Sequence, residues 1–143
     1  MGITILEFDQ IWRNDPKKAQ EYDLKYEEYQ KSLDPKSNIV LDSRLSFWCQ
    51  PDAFNVFLDV SDDEWARRIY NAQRSDDANE SYEAVLQANQ ERHSWLQSTY
   101  IKLYDVDLYN TSNYDIYIDT SDLTPDEVYT QILQWYTTWQ ESN

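Results

Sequence analysis

Arginine is the residue in this chain best suited to hold a phosphate group, because its planar guanidinium can pair with two phosphate oxygens at once. The formal net charge of −15 means that a small phosphate-bearing ligand would depend on local arginines. Arg67 and Arg68 stand among acids on a predicted helix, where a salt-bridged surface is an equally good interpretation. The arginines are spread along the sequence: Arg13, Arg44, Arg67, Arg68, Arg74 and Arg92.

Three short apolar runs each end in an aspartate. They are Ile-Val-Leu-Asp at 39–42, Val-Phe-Leu-Asp at 56–59 and Ile-Tyr-Ile-Asp at 116–119. Continuous apolar runs of this length predict strands of a parallel α/β sheet, whose carboxyl ends usually serve a site. The three aspartates could hold magnesium, but aspartate at the end of a strand more often caps a turn or a helix. Both interpretations stay open, with capping favoured.

Length and charge limit the class of protein. A chain of 143 residues is long enough for one domain with its own core. The charge of −15 repels phosphate backbones, so no nucleic-acid partner is expected. No apolar run approaches the length of a membrane span, so no membrane partner is expected either. The single cysteine, Cys49, cannot form an internal disulfide and fits a cytoplasmic location, and it is better explained as a packed side chain than as a nucleophile.

Capping patterns mark where the helices begin. The pattern Ser/Thr-x-x-Glu occurs at 4–7, 61–64 and 124–127. We therefore predict a helix after each capping pattern: a short one after 4–7, one after 61–64 and a last one from 124–127. Two further helices are predicted from apolar spacing, one over about 17–33 and a long one over about 80–103. Apolar faces are predicted at Leu6, Ile11 and Trp12; Tyr22, Tyr26, Tyr29 and Leu33; Trp65, Ala66, Ile69 and Tyr70; Tyr82, Val85, Leu86, Trp95, Leu96 and Tyr100; and Val128, Ile132, Leu133, Trp135 and Trp139.

Several of these stretches together resemble the cytidylate-kinase-like family of nucleoside monophosphate kinases. The stretches are MGITILEFDQIWRNDP, NIVLDSRLSF, AFNVFLDVSDDEWARRI, NAQRS and KLYDVDLYNTSNYDIYIDTSDLTPDEV, and the resemblance runs over most of the chain. The last stretch, with Ser-Asn-Tyr-Asp opening a strand and Thr-Pro-Asp-Glu-Val opening a helix, is the most specific. The resemblance implies phosphoryl transfer from ATP to CMP or dCMP on a P-loop sheet.

The resemblance also implies roles for individual residues. Arg13 and Arg44, with Asp42 close to the latter in sequence, would bind the acceptor nucleotide and its phosphate. Three further cations, Arg68, Arg74 and Arg92, would be catalytic lid residues that meet the transferring phosphoryl group. No metal ligand is implied within this chain.

The sequence departs from the family pattern at several positions. The family's Asp-Gly-Arg appears as residues 42–44 with Ser43 in the middle, and Asp105 stands where a glycine is expected. Expected basic positions are Gln97 and Thr99. The phosphate loop G-x-x-x-x-G-K-[ST] needs two glycines, and Gly2 is the single glycine of the chain. We therefore expect no ATP–magnesium cofactor to be held by these 143 residues in the family manner.

The predicted fold is α/β: a three-layer, P-loop-kinase-like parallel sheet with flanking helices, lacking the first two strands and the phosphate loop. It forms one domain over 1–143, in which 1–37 are nucleotide-binding helices, 38–74 a strand-strand-helix core, 75–113 the lid and long helix, and 114–143 the last strand and helix.

Two functions remain open. One is a cytidylate-kinase-like protein that binds a nucleoside monophosphate and is inactive as given. The alternative is a non-catalytic descendant that acts in protein–protein interaction or assembly. Exposed strand edges predict self-association or a protein partner in either case.

Overall fold

The protein was analysed as a computed structural model, which describes residues 15–34, 37–72 and 81–142. The chain divides into two compact units, residues 1–53 and 54–143. Helices α1 (Pro16–Lys31) and α2 (Ser46–Cys49) belong to the first unit. The second unit holds β1 (Val56–Asp59), α3 (Asp62–Asn71), α4 (Tyr82–Tyr104), a 3₁₀ turn (Thr111–Asn113), β2 (Ile116–Asp119) and α5 (Pro125–Ser142). The short helix predicted after Thr4 lies outside the described residues.

The sheet of the second unit consists of two parallel strands. β1 and β2 pair residue for residue, with Val56 opposite Ile116 and Asp59 opposite Asp119. The connection between them contains α3 and α4, as a parallel crossover requires. Both strands have the predicted bounds, and the described architecture of helices around a small parallel sheet is compatible with an α/β fold.

The prediction of a strand at 39–42 is wrong. Residues 38–43 have no regular secondary structure, and Val40 is 97% exposed. An apolar run becomes a strand only when a neighbour completes its hydrogen bonds, and no described strand pairs with this one. The aspartate of this run, Asp42, therefore does not end a strand.

The core of the second unit includes the contact between α3 and α4. Ala66 of α3 has no exposed surface, and Val85 and Leu96 of α4 are buried, as predicted. A polar contact joins the same two helices, because Asn89 donates a hydrogen bond of 3.0 Å to Asp62 Oδ1. Asn89 is itself 2% exposed, so this bond supplies a partner to an amide that the helix packing has removed from water.

Helix α4 ends on a left-handed residue. Asp105 has φ 55° and ψ 34°, and its backbone N–H bonds to the carbonyl of Ile101. Glycine is the usual residue at this position because it lacks the Cβ that disfavours the left-handed conformation. The left-handed conformation explains why the family resemblance leads one to expect a glycine at position 105. Aspartate tolerates this conformation better than most residues do.

Helix α1 buries a different face from the predicted one. Its bounds agree with the prediction to within two residues, with Asp15 capping the first turn. However, Tyr26 and Tyr29 are 57% and 59% exposed, whereas Glu27 and Gln30 are 6% and 2% exposed. The tyrosine stripe is therefore not the packed face of this helix, and a polar stripe takes its place.

Helix α5 begins at a complete capping box. The backbone N–H of Glu127 donates to Thr124 Oγ1, and the Thr124 hydroxyl and N–H donate to Glu127 Oε2. No described side chain of the helix is buried. Its contacts include Phe54, whose ring lies 5.7 Å from that of Trp139. Of the predicted apolar face, Trp135 remains 55% exposed. None of the described helices is long and apolar enough to cross a lipid bilayer.

Candidate functional site

The predicted site residues fall into three groups. Arg13 and Arg74 lie outside the described residues. Asp42 and Arg44 belong to the first unit, whereas Arg68 and Arg92 belong to the second. Their assigned roles stay predictions.

A polar stripe on α1 is the most unusual feature of the first unit. Asp23, Glu27 and Gln30 recur at intervals of four and three residues, which places them on one face of the helix. The Oε1 atoms of Glu27 and Gln30 are both removed from solvent without a hydrogen-bond partner among the described residues. The other oxygen of Glu27 lies 3.4 Å from Lys31 Nζ. A buried acceptor without a donor costs about 1–3 kcal/mol, so the fold gains no stability from placing these oxygens here.

The chain segment after residue 43 lies against this stripe. Gln50 Nε2 donates to the backbone carbonyl of Gln30 at 2.6 Å and to that of Leu33 at 3.3 Å, which ties the end of α2 to the end of α1. Cys49 is buried beside Lys31 and Glu27, and burial raises the pKa of its thiol. A raised pKa keeps the thiol protonated and agrees with the packing interpretation of this cysteine.

Arg44 is the cation of this region. Its side chain is exposed, and none of the salt bridges between described residues involves it. Burial, reinforced by the Glu27 carboxylate, raises the pKa of Asp23 to about 6, while the positive charge of Arg44 opposes that shift. The guanidinium is thus close enough to act on Asp23 electrostatically, and it has no salt bridge within the described ranges.

The carboxyl ends of β1 and β2 form a second polar cluster. Asp59 accepts from the Val60 N–H at 2.9 Å and from the Tyr117 hydroxyl at 2.8 Å. Asp119 accepts from the N–H and the hydroxyl of Ser121. These are the hydrogen bonds of turn caps, which supports the capping interpretation for both aspartates. No group of three potential metal ligands occurs in residues 15–34, 37–72 and 81–142.

Arg68 joins this cluster to α3. Its Nη2 donates to the Thr120 carbonyl at 2.6 Å, and its Nε donates to Glu64 Oε1 at 2.7 Å. Arg67 also pairs with Glu64, at 2.6 Å, but makes no described contact with the strand end. Arg68 therefore has structural partners that a phosphate would have to replace.

Arg92 and His93 differ although they are adjacent on α4. Arg92 is exposed, and no hydrogen bond or salt bridge connects it to the described part of the chain. His93 is half-buried, with Nδ1 at 3.5 Å from Asp62 and its ring 5.4 Å from that of Tyr109. The histidine thus serves packing, whereas the arginine is available to a ligand.

Sequence reasoning did not find Asp23, Glu27 and Gln30. Their spacing is visible in the sequence, but a polar stripe on a helix is normally the solvated face. The signal that separates the two cases is burial without hydrogen-bond partners, which only coordinates can show.

The chain matches the profile of the cytidylate kinase-like family over residues 6–122. A protein named S-adenosylmethionine-dependent nucleotide dehydratase, from Lacinutrix mariniflava, is 39% identical over 142 residues, which are 99% of this chain and 28% of that protein. Proteins named cytidylate kinase from Thermococcus kodakarensis and Pyrococcus furiosus are 30% and 31% identical, over 90% of this chain and 63% and 62% of their own lengths. The chain thus spans less than two thirds of each of these relatives, and no solved structure matches it significantly.

Replacing Arg68 with alanine should destabilise the second unit. The change removes charge-assisted hydrogen bonds to the end of β2, and we expect a loss of about 1–2 kcal/mol in the free energy of unfolding, allowing for partial solvent exposure. Arg67→Ala is the matched control, because Arg67 shares the partner Glu64 without the strand contact, and it should destabilise the chain less than Arg68→Ala does. Urea denaturation measures both, and equal losses would show that the contact with β2 contributes nothing.

Asp23 should make the stability of the chain depend on pH. Its folded pKa of about 6 lies above the ordinary value of 3.8, so between these values the folded state binds more protons and stability falls as pH rises. We expect a decrease of about 1–2 kcal/mol between pH 4 and pH 7, after allowing for solvent screening of a half-buried group.

The variant Asp23→Asn should remove this component of the pH dependence, whereas Asp52→Asn, at an exposed aspartate of the same unit, should retain it. Chemical denaturation at a series of pH values gives the comparison. A profile for Asp23→Asn that is parallel to the wild-type profile would contradict the assignment.

Proposed function

We propose a function from the premise that this chain belongs to the cytidylate kinase-like family: its first unit binds a nucleoside monophosphate, CMP or dCMP, with the phosphate at Arg44. One observation carries the proposal. Arg44 presents an exposed guanidinium without a salt-bridge partner among the described residues, and its positive charge acts on the half-buried carboxyl group of Asp23.

The other cations near carboxylates support this choice by contrast. Lys25 pairs with Glu21 at 2.6 Å, and Lys31 lies 3.4 Å from Glu27. Arg67 and Arg68 both pair with Glu64. A phosphate that approached any of these groups would compete with a carboxylate already in place, whereas at Arg44 it would meet a donor with free capacity.

The remaining predicted residues complete the proposal. Arg13 would share the phosphate with Arg44, and Asp42 lies two residues before Arg44 on the same exposed segment. Arg74 and Arg92 would approach the phosphoryl group during transfer, together with Arg68 once it releases its present partners. Each of these roles is a proposal from the family resemblance.

Phosphoryl transfer itself needs a second nucleotide site. In the family reaction, ATP and magnesium supply the phosphoryl group, and a glycine-rich loop cradles it through backbone N–H groups. The 143 residues hold one glycine and therefore do not contain that loop. We propose that they contribute the acceptor side of a kinase-like reaction and do not perform the transfer alone, at a cytoplasmic location.

Replacing Arg44 with alanine should weaken the binding of CMP. The loss of charged hydrogen bonds to phosphate costs about 1.5–3 kcal/mol, which corresponds to a dissociation constant raised about 10- to 150-fold. Calorimetric titration of the chain with CMP measures the effect. Arg67→Ala, at an arginine already paired on the surface, should bind CMP as the wild type does; equal affinities for all three proteins would exclude Arg44 as the phosphate site.

The chain alone should show no kinase activity with ATP, magnesium and CMP or dCMP. The reason is the absence of a phosphate loop from its 143 residues, without which the transferring group is neither positioned nor stabilised. A coupled assay of ADP release provides the test. Turnover that disappears in Arg44→Ala would contradict the prediction, because it would prove transfer by this chain at the proposed site.

A second candidate function is a non-catalytic role in assembly. Helix α5 has an apolar face on which no side chain is buried among the described residues, and Trp135 is 55% exposed. β1 and β2 pair only with each other in the described sheet, so each has an outer edge that no described strand covers. The match to the nucleotide dehydratase covers 28% of that protein, so a segment similar to this chain occurs within a much longer protein.

If this second role applies, the chain should self-associate at micromolar concentration. Light scattering coupled to size exclusion should give a mass that is a multiple of 17.2 kDa. Trp135→Ser should reduce that mass, whereas Tyr129→Ser, about 120° away around α5 and also exposed, should leave it unchanged. A wild-type chain that remains at 17.2 kDa on concentration would contradict self-association.

A further inference from the structure

Two buried oxygens of α1 have no hydrogen-bond partner in the described part of the chain. Glu27 and Gln30 occupy the buried face while tyrosines of the same helix face solvent. Leucine or methionine at these positions would pack without an unsatisfied acceptor. Their Oε1 atoms need hydrogen-bond donors, and no described residue supplies them.

We propose that Glu27 and Gln30, assisted by Asp23, recognise the exocyclic amino group of the bound nucleotide's base. This inference rests on the proposed function, since it assigns base selection to the unit that would hold the phosphate at Arg44. The ligand class is a nucleoside monophosphate whose base carries an amino group at its hydrogen-bonding edge.

The chemistry of the bases makes this recognition selective. The amino group of cytosine donates two hydrogen bonds, whereas uracil has a carbonyl oxygen at the equivalent position. The carboxylate oxygens of Glu27 and Asp23 accept from the amino group but repel the carbonyl oxygen, because neither partner then has a hydrogen to donate, and Oε1 of Gln30 adds a further acceptor. A site built to pair with a polar group discriminates strongly against an analogue that lacks it. Cytosine should therefore be preferred over uracil.

The charges of the site suit a ligand that has an electropositive base edge and an anionic phosphate. Asp23 and Glu27 place negative charge at one part of α1, which favours the electropositive amino edge of a base. Arg44 is the cation whose charge acts on Asp23, and it would take the phosphate. Both Oε1 atoms are removed from solvent, so binding of a base requires a local opening at this face of α1.

The test is the ratio of the dissociation constants of UMP and CMP, measured by calorimetry on the full chain. The wild type should favour CMP by about tenfold or more. Glu27→Met and Gln30→Met remove an acceptor at nearly constant size, and each should bring the ratio close to one. Glu28→Met is the matched control, since Glu28 is an exposed neighbour on the same helix, and it should leave the ratio at the wild-type value.

Thermal unfolding of each variant verifies that it is folded, and methionine at either buried position should leave the melting temperature unchanged or raise it. AMP tests a second base that bears an amino group. If Gln30→Met also weakens the binding of AMP, that result supports recognition of the amino group. A wild-type ratio near one, or a ratio unchanged in both variants, overturns the base-recognition inference, while Arg44-dependent binding would still uphold the proposed function. If CMP, UMP and AMP all fail to bind, both are overturned.

Discussion

The excess of carboxylates is the constraint to which most of this structure responds. With 27 acidic and 12 basic side chains, each cation has more carboxylates available than it can satisfy. Glu64 holds two arginines, and Lys25 and Lys31 each have a glutamate one helical turn away. In such a chain we expect a phosphate to bind where a guanidinium has no carboxylate partner. Among the described residues Arg44 and Arg92 meet that condition, and Arg44 also acts on the half-buried carboxyl group of Asp23.

The same constraint explains how the acids stabilise the second unit. Asp59 and Asp119 accept hydrogen bonds from the turns that follow their strands, and Glu127 closes a capping box at the start of α5. Negative charge is favourable at the positive end of a helix. Arg68 then links α3 to the end of β2 through the Thr120 carbonyl. The small sheet is thus held at its carboxyl end by hydrogen bonds in which one partner is a charged side chain and the other is a backbone group.

Local signals in the sequence predicted the second unit well and the first unit poorly. β1, β2 and the start of α5 follow from apolar runs and capping residues, which act within a few positions. The prediction of a strand at 39–42 failed because a strand needs a neighbouring strand to complete its hydrogen bonds. An apolar run alone does not show whether such a neighbour is present. The prediction that the tyrosines of α1 form its packed face failed because periodicity reveals a helix but not which of its faces is covered. In the structure the covered face carries Glu27 and Gln30. Family resemblance supplied Arg44 as a candidate, whereas only the structure shows that it is exposed and forms no salt bridge with a described residue.

We propose that a nucleoside monophosphate binds to the first unit at α1 and Arg44. Hydrogen–deuterium exchange of the chain, with and without saturating CMP, tests this proposal directly because it locates the protected segments. We expect slower exchange in α1 and in residues 41–50, with α4 and α5 unchanged, and loss of this protection in Arg44→Ala. Protection confined to α3 and α4, or no protection at a CMP concentration that produces binding heat, would contradict it.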